Sequence, residues 1–339
     1  MAVVEAWKSD YLYWITPRIN LKYVLKLASL LAPVAAIRLY AQLTCGIFKD
    51  ESRMDGKTVV VTGANCGIGK ETARELAKRG ARVVMACRNV EAANSVKDKI
   101  IDSTKNTKVI VKKLDLSSFA SIREFAEDIK KTEERLDVLI HNAGYAEPFK
   151  KKKSVDGIEM TMSTNFYGPF LLTHLLIDLL KKNAPSRIIV VASSLYRLVS
   201  YNLNNPNPLT ILPAYLYFAS KEANILFTME LARRLEGTGI TVNCLHPGIV
   251  DTEIWRNIPA PLSWIVYIIN KCFFKTSEQG CQTSVMLAVD EKLAKVSGKY
   301  FSDCQESSVS TSASDMNKAK KMWEICEKMV QLKDDDPKL

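Results

Sequence analysis

The sequence predicts an α/β fold built on a single doubly wound parallel sheet, on three observations. Short β-branched runs recur along the chain, and each is followed by a stretch of helical periodicity. The first run ends in a glycine-rich turn that opens straight into a helix. The chain has 339 residues, 47% of them apolar, which is ample for one large core, and its 14 Gly and 12 Pro are too few for a collagen-like or disordered protein.

The elements follow in order. TVVVT at 58–62 reads as the first strand, because a near-continuous β-branched run suits a strand buried on both faces. ETARELAKRG, after the glycine turn, reads as its helix. RVVMAC at 82–87, KVIVKKL at 108–114 and LDVLIH at 136–141 supply three more strands, with helical stretches between them. RIIVVAS at 187–193 and ITVNCLH at 240–246 add two, separated by a long helical segment from about 214 to 235. Strands alternating with helices require parallel pairing and right-handed crossovers, which put ligand sites beyond the carboxyl ends of the strands. Functional residues are expected just after each strand.

Three segments are expected: a membrane-associated stretch at 1–50, a catalytic domain at 51–307, and a tail at 308–339 with a helix around 318–332 and no catalytic role. The first is apolar from 21 to 48 but broken by Lys22, Lys26, Pro33 and Arg38. A clean span needs roughly 20 apolar residues, so a tilted or interfacial segment fits better, with Trp7, Tyr11, Tyr13 and Trp14 at the interface. An amphipathic helix on the protein's own surface is the alternative.

Lys+Arg 47 exceed Asp+Glu 37, a net charge of +10. No nucleic-acid motif accompanies this excess, so a bilayer surface, not nucleic acid, is the expected partner. The four lysines at 150–153 read as a solvated loop face or a further anionic-membrane contact. Eight cysteines without a C-x-x-C pair and three scattered histidines give neither a disulfide framework nor a metal site. Without a G-x-S-x-G elbow, serine hydrolysis is disfavoured.

The loop TGANCGIG, 62–69, carries the first chemistry. Gly63 permits the tight turn, Gly67 lets backbone approach a pyrophosphate, and Gly69 allows close helix packing, while the helix amino terminus attracts anions. Asn65, Cys66 and Ile68 complete the loop. A P-loop is excluded, because the glycine spacing is one residue too long and Glu71 stands where Mg²⁺ binding needs Ser or Thr. The second strand ends in Arg88, whose guanidinium suits a ribose 2′-phosphate and favours NADP(H). Glu91, a turn later, keeps NAD open.

Transfer of a hydride to or from an alcohol carbon needs one group to act as both acid and base. Tyrosine, with a pKa of about 10, is too weak a base unless a neighbouring charge favours its phenolate. Lys221 lies four residues after Tyr217, on the same helix face. Tyr215 lacks such a partner, since position 219 is Ala. Ser194, or its neighbour Ser193, can donate to the developing oxyanion.

Taken together, TGxxxGxG, Asp115 after the third strand, HNAG at 141–144, the Ser193–Ser194 pair and Tyr217-Phe-Ala-Ser-Lys221 resemble the short-chain dehydrogenase/reductases. The resemblance covers about 55–305 and implies a Rossmann fold. It assigns Lys221 a second role on the nicotinamide ribose and favours Ser194 over Ser193. It matches Asn165 to an asparagine that holds a proton-relay water. Asp115 and Leu116 come beside the adenine, although Asp115 also suits a helix cap near Ser117. Asn142, Ala143 and Gly144 line the cofactor, and PGIVDT places Pro247, Gly248, Val250 and Thr252 on its nicotinamide side.

Within that family, TGANCGIGKETA, ACRNVE, ASKEANILF, ELARRLEGTGITVNCLHPGIV and YFSDC look like the microsomal retinol dehydrogenase group. This implies an NADP(H)-dependent enzyme on a membrane, cytosol-facing at the endoplasmic reticulum, with a mitochondrial membrane or a lipid droplet as alternatives. Its expected substrates are hydrophobic primary alcohols and aldehydes, retinol and retinal above all. Steroids, prenols and fatty aldehydes are the alternative substrates, and a non-catalytic NADP-binding scaffold is the competing class. Self-association stays open. The apolar stretch 258–274 is expected to line the pocket or dip into lipid.

Overall fold

The computed structural model describes residues 45–147, 149–209, 211–250 and 275–339, with isolated helical positions at Ser29, Ala32, Ala36 and Leu39. Two units result, Met1–Leu43 and Thr44–Leu339. Most of the expected membrane segment, the stretch 258–274 and Thr252 lie outside the described residues. Among those described, no helix is long and apolar enough to cross a membrane.

The larger unit carries one eight-stranded sheet among the described residues. Its strands are β1 Thr58–Thr62, β2 Arg82–Cys87, β3 Val109–Lys113, β4 Val138–His141, β5 Ser186–Val191, β6 Ile240–His246, β7 Tyr300–Ser302 and β8 Gln305–Ser307. The order is β3-β2-β1-β4-β5-β6-β7-β8, all parallel up to β7. The order reverses between β1 and β4, the switch point at which α/β sheets bind ligands. Strands β1 and β4 are buried along their whole length, as a sheet covered by helices on both faces requires.

The longer helices among the described residues are α1 Gly67–Lys78, α2 Val90–Thr104, α3 Phe119–Thr132, α4 Gly168–Lys182, α5 Pro213–Arg234, α6 Gln282–Val289 and α7 Met316–Met329. One core, around Phe166, Phe170 and Phe227, lies on one face of the sheet. The other, around Leu76, Met85 and Val285, lies on the opposite face. The expected helix at 214–235 is α5, bounded by Pro213 in its first turn, where the missing N–H is harmless. The cap of α3 is Ser118, whose side chain accepts from Ser121 N, so the helix starts two residues beyond Ser117.

Two features depart from the simple pattern. Strand β8 pairs antiparallel with β7 through a two-residue turn at Asp303 and Cys304, with φ of 52° and 59°. Such turns need φ > 0 at both positions and usually advertise themselves as Asn-Gly; Asp-Cys hides the signal. The segment 308–339, moreover, belongs to the same compact unit as the sheet. Trp323 of α7 is fully buried, stacked on Phe227 of α5 at 5.9 Å and 4.8 Å from Phe170 of α4. Helix α4 is buried around nearly its whole circumference, so its outer side needs cover, and α7 with the residues after it supplies part of that cover.

Candidate active site

The strand ends open onto a cleft of about 760 Å³. Its floor is built by local backbone chemistry. Gly63 and Gly67 adopt φ of 67° and 54°, which side-chain-bearing residues rarely do. A side chain at Gly69 would collide with the Asn142 amide and the Gly63 carbonyl. Absence of that side chain lets Asn142 Nδ2 donate to Thr62 O at 2.9 Å and Gly63 O at 3.3 Å. Thr62 Oγ1 accepts from Asn142 N and Ala143 N, both at 3.0 Å. The HNAG segment after β4 is thereby knitted to the glycine loop after β1.

Helix α1 begins at this loop with no side-chain cap from Cys66 and no acidic residue in its first turn. Such an amino terminus presents backbone N–H groups and positive potential to an anion. Arg88 is exposed and lines the same cleft, held just ahead of Asn89, which caps α2 by accepting from Ala92 N at 2.9 Å. Asp115 also lines it, and its Oδ1 accepts from Ser117 N at 2.9 Å and Ser117 Oγ at 2.6 Å. Asp115 therefore shapes the turn, whereas Ser118 does the capping.

Asn65, Cys66, Ile68, Leu116, Ala143, Gly144, Pro247, Gly248 and Val250 line this cleft as well. Gly248, at φ 88°, lies under the Lys275 side chain, and Lys275 is ion-paired with Asp303 of the hidden hairpin. Glycine and hairpin together hold residues 247–250, the described start of the connection after β6.

At the other end of the cleft stand Ser193, Ser194, Tyr217 and Lys221. Lys221 is buried; its Nζ donates to Val191 O at 2.8 Å and lies 5.6 Å from the Tyr217 ring centroid. Burial depresses the Lys221 pKa to about 8. It pushes that of Tyr217 up to about 12, against an opposing interaction with the Ser193 hydroxyl. The serine that meets the phenol is thus Ser193, which also accepts from Leu195 N at 3.3 Å. Ser194, favoured by the resemblance, lines the cleft one residue further on.

Asn165 is buried behind the wall, and its neighbour Thr164 faces the cleft. It sits in a π-helical turn, Ser163–Tyr167. Its Oδ1 accepts from Tyr145 N at 2.7 Å, while Nδ2 donates to Tyr145 O at 3.0 Å and Ser220 Oγ at 3.1 Å. Ser220 Oγ donates in turn to Tyr217 O at 2.7 Å. Both amide hydrogens are used, so the side chain ties the loop after β4 to the turn bearing Tyr217.

The histidines have separate roles. His141 Nε2 lies 2.8 Å from Thr173 Oγ1, whose hydrogen goes to Pro169 O at 2.9 Å. The imidazole must then carry its proton on Nε2, and burial lowers its pKa to about 3. His174 is buried, with Nδ1 at 3.2 Å from Pro337 O. His246 lines the cleft beside Lys221, with its pKa lowered to about 4 by burial and by the charges of Lys275 and Lys221. Sequence reasoning missed His246, Tyr145, Thr164, Leu195 and Ile249 as cleft residues. The rule that sites follow strand ends could have drawn in His246, Tyr145, Leu195 and Ile249, whereas Thr164 lies in the π-helical turn beside Asn165 and follows no strand.

A glycine-cradled cleft at the switch point, closed at one end by a tyrosine and a buried lysine, defines an oxidoreductase that uses a nicotinamide dinucleotide. The chain belongs to the short-chain dehydrogenase family, whose model matches residues 57–262. It is 46% identical to retinol dehydrogenase 14 of Mus musculus, over 83% of this chain and 88% of that one. It is 44% identical to retinol dehydrogenase 11 of Homo sapiens, over 89% and 94%. Among solved structures it is similar to an uncharacterised protein from Mycobacterium paratuberculosis, with TM-score 0.67, 29% identity, and coverage of 83% and 96%. It is also similar to the RhlG/NADP complex of Pseudomonas aeruginosa, with TM-score 0.60, 27% identity, and coverage of 74% and 95%.

Proposed function

We propose that this protein is an NADP(H)-dependent oxidoreductase that interconverts hydrophobic primary alcohols and aldehydes, with retinol and retinal as the leading pair. The observation that carries the reading is the convergence of Ser193, Tyr217 and Lys221 in the cleft that the glycine loop enters. Relatives named retinol dehydrogenase support the substrate class.

The residues fit a dinucleotide: glycines stand where a side chain would collide with the cradle, and the amino terminus of α1 faces the same space as Arg88. Gly63, Asn65, Cys66, Gly67, Ile68 and Gly69 would hold the pyrophosphate, Arg88 the 2′-phosphate, and Asp115 and Leu116 the adenine side. Asn142, Ala143, Gly144, Pro247, Gly248, Val250 and Thr252 would line the remainder. The bound nicotinamide supplies or accepts the hydride. The chain's own residues move the proton. With its pKa raised to about 12, Tyr217 holds its phenolic proton at neutral pH and can give it to a carbonyl oxygen. In the oxidative direction the Lys221 ammonium favours the phenolate, and Lys221 would also hold the nicotinamide ribose. Ser193 or Ser194 donates to the substrate oxygen. Since the Asn165 amide is fully engaged, a relay water would have to be held by its backbone carbonyl.

We place the enzyme at a membrane surface, with 1–50 as the attached segment and the cytosolic face of the endoplasmic reticulum as its site. Purified protein with NADPH and a panel of retinal, a fatty aldehyde, a prenal and a steroid ketone tests the reading. Consumption of NADPH with retinal is expected. No turnover with any member would leave the scaffold alternative standing.

A further inference from the structure

Helix α5 has a second charged residue beside its lysine. Glu222 follows Lys221 and is turned away from the cleft into a buried polar knot, its side chain 1% exposed. Its carboxylate accepts from Lys318 Nζ of α7 at 2.9 Å and from Ser312 Oγ at 2.6 Å. A third bond comes from the backbone N–H of Tyr201. Lys318 Nζ also donates to Ser200 Oγ and Ser312 Oγ, both at 2.9 Å. Tyr215 OH donates to Ser200 O at 2.7 Å.

The knot holds one particular stretch. Ser200 and Tyr201 lie on the connection from the 3-10 turn Ser194–Leu198 to α5, the only covalent path from Ser193 and Ser194 to Tyr217. The stretch from 308 to 310 grips that turn from the far side: Arg197 donates to Ser308 O at 2.6 Å, and Ser310 N donates to Tyr196 OH at 2.9 Å. Buried ion pairs contribute little net stability, because desolvation offsets attraction. What such a pair does supply here is a fixed register.

We infer that Glu222 and Lys318 are a positioning pair that sets where the Ser193–Ser194 turn stands relative to Tyr217, which makes α7 part of the catalytic apparatus. The inference rests on the reading of Ser193 and Tyr217 as reacting groups. It predicts a loss confined to the substrate end of the cleft, since Arg88 and the glycine loop are held by other elements.

The test is the paired variant Glu222→Gln/Lys318→Met in the full chain, which removes both charges and strands neither. The expected result is a fall in kcat/KM for the aldehyde of about tenfold to a hundredfold, the scale of a small misplacement of reacting groups, with unchanged affinity for NADPH. Lys318→Arg alone, which keeps the pair with Glu222, should retain most of the activity. If the paired variant does not fold, Ser200→Ala removes the bonds that Ser200 Oγ makes with Lys318 Nζ and Ser312 Oγ while leaving the Glu222–Lys318 pair in place, and a smaller loss in the same parameter is expected. Amide hydrogen exchange across 193–201, read without substrate, should rise in either variant even if the wild-type protein reduces none of the aldehydes. Unchanged exchange there would overturn the inference, as would equal losses of aldehyde turnover and NADPH affinity.

Discussion

The Lys221 ammonium stands 5.6 Å from the centroid of the Tyr217 ring, held there by the Val191 carbonyl at 2.8 Å. A positive charge so placed lowers the cost of forming the phenolate. Burial works the other way on both groups, raising Tyr217 to about 12 and lowering Lys221 to about 8. The pair is a proton donor at rest and becomes a base only with the help of charge. Reductive turnover should therefore hold from pH 6 to 7 and fall as pH rises through about 8, where Lys221 loses its proton. A pH-rate profile for reduction checks this. Lys221→Met should abolish the fall along with most of the activity.

Tyr217→Phe should lower kcat by about 10² to 10⁴, the usual range for loss of an acid–base group, and leave NADPH binding intact as read by fluorescence titration. The serines divide more sharply. Because the Ser193 hydroxyl meets the phenol, Ser193→Ala should shift the pH profile of oxidation upward, whereas Ser194→Ala should act on kcat with no shift. The reverse pattern would return the role to Ser194.

Arg88→Ala should weaken NADPH at least about tenfold, the loss of one charge-assisted contact to a phosphate, and leave NADH nearly unchanged. Equal effects on the two cofactors would remove the 2′-phosphate assignment.

Acid should loosen the fold through its buried imidazoles. His141 is held neutral, with its folded pKa lowered to about 3. A lowered histidine pKa means stability that is complete above the unfolded value near 6.5 and lost as pH falls below it. At pH 5 the loss is about 2 kcal/mol at 1.36 kcal/mol per unit, visible as a fall in Tm between pH 7 and 5. His141→Gln, which retains a donor toward Thr173, should reduce that dependence, with His174 and His246, each lowered to about 4, supplying what remains.

The order of elements and the Tyr217–Lys221 pair were legible because each rests on local spacing: period two in strands, four residues on a helix, glycines at a turn. The hairpin at Asp303–Cys304 was not, since its left-handed residues are not those the turn normally selects. The choice between Ser193 and Ser194 depends on which way one strand end rotates, and adjacent identical residues carry no signal for that. Asn165 was found by its motif, but the engagement of its amide with Tyr145 and Ser220 depends on contacts far apart in the chain. The same holds for Glu222, a charged residue inside a helix whose partner lies in a segment set aside as a tail.

The docking of Trp323 between α4 and α5 bears on the order in which the chain is made. Phe170, Tyr217, Lys221 and Phe227 all leave the ribosome well before Trp323. Synthesis at roughly 5–20 residues per second then leaves a window of several seconds in which every reacting group exists while an apolar surface beside it is bare. During that window the faces of α4 and α5 that meet at Phe170 and Phe227 lack the indole that later covers them.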